Sequence, residues 1–142
     1  MIDAKKRLNG IEMTLIGSLA SRATRGDEYA IKIKSWLNTM GFGIGDWDFP
    51  PAIQRTEIYD AAVREFIKDN PTATILNVGC GFCTRFYRLD NGMINWIELD
   101  YPAVGELRES FFGPASIRHW FVPHDFHEPI NLKYDLLIAD VS

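Results

Sequence analysis

The residues able to do chemistry in this 142-residue chain are two cysteines, three histidines and a few spaced carboxylates. The cysteines stand in NVGCGFCTR, residues 77–85. A C-x-x-C between a strand and a helix start suits a redox pair, because a thiolate is stabilised there. With His119, His124 and His127 the same sulfurs would offer ligands to zinc. The third chemistry belongs to the backbone: Gly79 and Gly81 would let the main chain pass close under a nucleotide-like cofactor.

The spacing favours the third. Glycine on both sides of Cys80 makes sense without sulfur chemistry. The gap from Cys83 to His119 is far longer than compact zinc modules use. Asp100 follows the loop at about 20 residues, where a carboxylate reaches a ribose diol. A dinucleotide fingerprint wants a third Gly or Ala where Thr84 stands, so a pyrophosphate clamp is not evident and a dehydrogenase is disfavoured. A nucleoside-containing cofactor is the reading that remains.

Such a loop has to be positioned by a strand before it and a helix after it. From Pro71 onward the chain supplies these in alternation. TILNVG (74–79), INWIEL (94–99), IRHWFV (117–122) and YDLLIAD (134–140) read as short strands. Thr84 to Leu89 lies between the first two, and a helix from Pro102, with Ala103, Val104, Leu107 and Phe111 on one side, between the next two. This pattern predicts an α/β fold with a parallel sheet covered on both faces. Residues 1–70 read as a helical segment. Its runs are Ile11 to Ala23, then Tyr29, Ile33, Trp36, Leu37 and Met40 after a break and cap at Gly26-Asp27, then Ile58, Ala62, Phe66 and Ile67. The glycine-rich, aromatic loop at 41–51 is either a core plug or a lid. The expected architecture is therefore N-terminal helices followed, at 71–142, by a partial doubly wound parallel sheet: the first four strands of a Rossmann-like domain.

Composition sets outer limits. A net charge of −4 argues against a nucleic-acid partner, and the only basic run is Lys5 to Arg7. No apolar run approaches the roughly 20 residues of a membrane span. The N-terminus lacks the apolar stretch of a secretory signal, and two cysteines make no disulfide scaffold, so a reducing cytoplasm is the expected compartment.

The run NVGCGFCTRFYRLDNGMINWIELDYPAVGELR, Asn77 to Arg108, resembles the cofactor-binding core of S-adenosylmethionine-dependent methyltransferases of the leucine carboxyl methyltransferase type, a group that includes polyketide O-methyltransferases. Weaker similarity extends upstream through TLIGSLASRA and QRTEIYDAAV, and downstream through VPHDF and LLIAD. The resemblance implies a class I methyltransferase fold and S-adenosylmethionine as cofactor. Gly79 and Gly81 would pass under its amino-acid part, and Asp100 would hold the ribose hydroxyls. Asp125 would accept from the adenine amino group, with Phe126 beside it. Asp140 would face the methionine ammonium and Arg55 its carboxylate, while Arg22 matches a further basic position. Cys83 stands where the family commonly has Asp, which accounts for the C-x-x-C as a substitution within a cofactor loop.

The implied activity is O-methyl transfer to a carboxyl or phenolic hydroxyl of a small-molecule or other carboxyl acceptor. The family's sheet normally has seven strands, and the sequence stops after the fourth. The expectation is therefore a truncated enzyme or a non-catalytic cofactor-binding or assembly module, forming a homo-oligomer through its C-terminal sheet edge.

Overall fold

A computed structural model describes residues 13–113 and 116–140. The basic run at Lys5 to Arg7 and the proposed helix start at Ile11 lie outside the described residues. The chain divides into two compact units, one ending at Glu57 and the other beginning at Ile58.

In the first unit, α1 (Met13–Thr24) and α2 (Glu28–Thr39) are separated by the predicted break. Gly26 turns at φ 92°, and the Asp27 side chain accepts from the amides of Tyr29 and Ala30, both at 3.1 Å. This satisfies two of the orphan N–H groups that begin any helix. Ala30, Ile33 and Leu37 form the buried stripe of α2. The aromatic loop that follows is tied down by side chains: Asn38 exchanges two hydrogen bonds with Ile44, and Arg25 grips Asp48 through two. Ile44 is its buried plug. Trp47 and Phe49 stack on each other at 5.5 Å and stay about half exposed.

Helix α3 (Pro50–Asp69) begins on Pro50-Pro51, where a missing N–H costs nothing. Its buried face keeps Ile67 of the predicted one and differs in the rest. Val63 and Ile67 are buried with Tyr59 packed beside them, whereas Ile58 is 68% exposed and Ala62 is exposed. The stripe at 59, 63 and 67 keeps strict i, i+4 spacing, and the same rotation turns Asp60 toward two arginines described below.

The second unit contains β1 (Thr74–Val78), α4 (Arg85–Leu89), β2 (Asn95–Asp100), α5 (Pro102–Phe112), β3 (His119–Pro123) and β4 (Leu136–Ile138). All strand pairs are parallel, and the spatial order is β3-β2-β1-β4. The expected α/β, Rossmann-like class is what the chain adopts. Because side chains alternate along a strand, Ile75 and Trp96 share one face and Leu76, Ile97 and Leu99 the other. The first face, with Ile138, is buried under Val63 and Ile67 of α3 and Phe86 and Leu89 of α4. The second is covered by Phe126, Ile130 and Leu132, which come from the irregular segment joining β3 to β4. Apolar side chains on a strap, with no helix, thus cover this face.

The order β3-β2-β1-β4 reverses its direction of winding between β1 and β4. In open parallel sheets, ligands lodge outside the carboxyl ends of the strands at such a reversal.

Candidate functional site

The chain leaves β1 at Val78 and makes a loop bonded to the carboxyl end of β2. The amides of Gly79 and Cys80 both donate to the Leu99 carbonyl, at 2.8 and 3.2 Å. Gly79 has φ +65° and Gly81 φ +49°, conformations that disfavour any Cβ. A Cβ built on Gly79 would meet no atom within 4 Å, so that side of the loop opens onto free space. The Gly81 amide donates to Asp100 Oδ2 at 2.8 Å, and Asp100 Oδ1 accepts from the Tyr101 amide at 2.7 Å. From the other side, Arg108 Nη1 donates to the carbonyls of Gly81 and Cys83, at 2.8 and 3.1 Å. An acid and a base thus hold the two polar ends of the loop backbone. The helix after it, α4, is only five residues long.

Sulfur chemistry finds little support in this setting. Both cysteines are free, and Cys80 is buried. Burial pushes its thiol well above the ordinary cysteine range, against the pull of Arg108. A protonated, enclosed thiol is a poor nucleophile. The histidines also have separate surroundings: His119 lies against the Phe86 ring at 4.1 Å, and His124 Nε2 pairs with the Glu128 carbonyl at 3.0 Å.

The remaining carboxylates fall at strand ends. Asp140, two residues beyond β4, accepts from Arg85 Nη2 at 3.1 Å. Arg85 is 2% exposed and also donates to Asp60 Oδ1 of α3 at 2.6 Å. Arg88 reaches the same carboxylate through Nε at 2.9 Å and Nη2 at 3.1 Å, and bonds Thr84 Oγ1. Burial would raise the Asp60 carboxyl, but the hydrogen bonds from Arg88 and Arg85 outweigh it and hold it below its ordinary value. Beyond β3, Asp125 is exposed and accepts from the His127 amide at 2.9 Å. Phe126 packs edge-on against Tyr101, centroids 5.1 Å apart, and the His124 amide donates to the Asp100 carbonyl at 2.9 Å. The ends of β2 and β3 are therefore joined beside Asp100.

The model of the leucine carboxyl methyltransferase family matches residues 49–135, more than half of the chain. This chain belongs to the leucine carboxyl methyltransferase family. Its members are S-adenosylmethionine-dependent methyltransferases. No curated protein and no solved structure matches the chain.

Within the leucine carboxyl methyltransferase span, Gly81 bonds Asp100 directly, Gly79 bonds the adjacent Leu99 carbonyl, and Phe126 packs on Tyr101 next to Asp100. Asp140 lies just outside the matched residues and is held by Arg85, which is inside them. Arg55, also inside, is half-buried on α3 in the N-terminal unit. Arg22 of that unit donates to Ser18 Oγ at 2.8 Å and lies 3.6 Å from Asp27. A cavity of about 700 Å³ opens between α5 and β3, but none of Gly79, Gly81 or Asp100 lines it.

Sequence reasoning passed over Asp60, Arg85, Arg88 and Arg108, and read Glu98 only as part of the acidic end of β2. The signal was present for some of them. Arg85 and Arg88 sit at i, i+3 spacing on one helix face. Glu98 interrupts an otherwise apolar strand that has to be buried on both sides.

Proposed function

We propose that this chain binds S-adenosylmethionine at the carboxyl ends of β1 and β2 and serves O-methyl transfer to a carboxyl or phenolic acceptor. The observation that carries the reading is the loop itself: at the carboxyl ends of β1 and β2 two glycines at positive φ turn the chain, and the Gly81 amide is bonded to the Asp100 carboxylate. The loop lies next to the reversal of winding, where a ligand belongs.

The residues present fit the group. Gly79 and Gly81 would lie under its amino-acid part. The Gly81 and Tyr101 amides both donate to Asp100, so the ribose hydroxyls would find a carboxylate already fixed in place. Asp125 and Phe126 would take the adenine and Asp140 the ammonium. When bound, the cofactor supplies the electrophilic methyl group of its sulfonium; the chain orients it and keeps water away. A carboxylate acceptor needs no strong general base.

Calorimetric titration with S-adenosylhomocysteine tests the shared premise. A saturable 1:1 isotherm is expected, and absence of heat at high protein concentration would overturn it. Transfer of a labelled methyl group to a panel of small carboxylic acids and phenols then separates an enzyme from a cofactor-binding module without catalysis.

A further inference from the structure

We propose that Arg108, paired with Glu98, is a positioning residue that sets the conformation of the cofactor loop. The inference rests on the binding site proposed above. Arg108 sits on α5, remote in sequence from the loop, yet is 4% exposed. Its guanidinium lies over the Phe112 ring at 4.6 Å, which fixes its plane. One nitrogen, Nη1, serves the carbonyls of Gly81 and Cys83, while Nη2 lies 3.5 Å from Glu98 Oε2. Glu98 is 1% exposed; its Oε2 also accepts from Asn77 Nδ2 at 3.3 Å, and its Oε1 lies 3.5 Å from His119 Nε2.

A buried ion pair is a poor way to stabilise a fold, since well-packed apolar residues of similar volume do as well or better. What this pair does that apolar residues cannot is hold carbonyls. Gly81 is pliable because it lacks a side chain, and here Asp100 binds its N–H while Arg108 binds its C=O. Both peptide planes of the residue are thereby fixed. The planar fork of Arg reaches two carbonyls and a carboxylate at once, a task that the single ammonium of Lys performs only in part. Glu98 then balances the charge that this contact introduces into the interior.

The test uses the full chain as wild type, Arg108→Met, Arg108→Lys and the double variant Glu98→Gln/Arg108→Met. S-adenosylhomocysteine affinity is read by calorimetry, stability by thermal unfolding, and loop order by hydrogen exchange of the peptide covering residues 79–84. Arg108→Met is expected to lose at least tenfold in affinity and Arg108→Lys less. The double variant removes the uncompensated carboxylate and regains thermal stability, but its affinity stays low and its loop exchanges fast. Wild-type affinity in Arg108→Met, or affinity that returns together with stability in the double variant, would overturn the proposal. Should wild type itself fail to bind, the cofactor reading falls, and loop exchange alone decides: no acceleration beyond that of β1 in the Arg108 variants refutes the clamp. If Arg108→Met does not fold, Arg108→Lys and the double variant carry the comparison.

Discussion

Replacing Gly79 by Ala separates what the loop costs from what it does. Gly79 sits at φ +65°, where an L-residue is disfavoured by about 1–2 kcal/mol. No atom lies within 4 Å of the new methyl group, so no steric clash adds to that figure. At roughly 4 °C per kcal/mol for a chain of this size, the melting temperature should fall by about 4–8 °C. Gly92 provides the control. It stands in the turn between α4 and β2, at φ +82°, again with nothing within 4 Å of a Cβ, and its amide donates to Asp90 Oδ1 at 2.9 Å. Gly92→Ala should therefore lose a similar amount of stability. The two variants part company in calorimetry with S-adenosylhomocysteine. The methyl group of Gly79→Ala would project into the space assigned to the ligand, so affinity should drop tenfold or more, about 1.4 kcal/mol or above. Gly92→Ala should bind as wild type. Equal affinity in both variants, or an equal loss in both, would refute the reasoning, because either result uncouples the open side of Gly79 from the ligand.

Two further outcomes follow from charge and burial. The Asp60 carboxyl is held below its ordinary 3.8 by Arg88 and Arg85 against the opposing effect of burial. A depressed folded-state value adds stability above pH 3.8 that disappears as pH falls through the lower folded value. Asp60→Asn should thus lower the melting temperature at pH 7 and flatten its decline below about pH 4; a decline as steep as wild type would contradict the assignment. The second concerns the thiols. Iodoacetamide at pH 8 should label Cys83 in the native protein and reach Cys80 only after denaturation, as read by peptide mass spectrometry. Rapid native labelling of Cys80, or a bond joining the two sulfurs, would restore the redox reading.

The four strands and the loop after the first were legible because they announce themselves locally, through short apolar runs and paired glycines. The acid at the end of β2 was legible for the same reason, as a polar residue closing an apolar run. Buried charges were not. Arg85 and Arg108 look like solvated helix residues until the fold brings Asp60, Asp140 and Glu98 to them over separations that no local pattern encodes. The rotation of α3 was missed because Ile58 and Phe66 are as apolar as Tyr59 and Val63. The placement of Asp60 against its arginines marks which stripe faces inward. The cover over the second face escaped because Phe126, Ile130 and Leu132 follow neither helical nor strand spacing.

That cover has a thermodynamic consequence. The segment from 124 to 135 is fastened by main-chain hydrogen bonds near its two ends, His124 to the Asp100 carbonyl at 2.9 Å and Asp135 to the Thr74 carbonyl at 2.8 Å. Between them, three apolar side chains do most of the holding. Lifting such a strip breaks no helix and no ladder, so this flank belongs to the soft end of the molecule's range of local openings. Asp125 and Phe126 lie on it, so an adenine held there would add contacts to the strip and raise the free energy of its local opening.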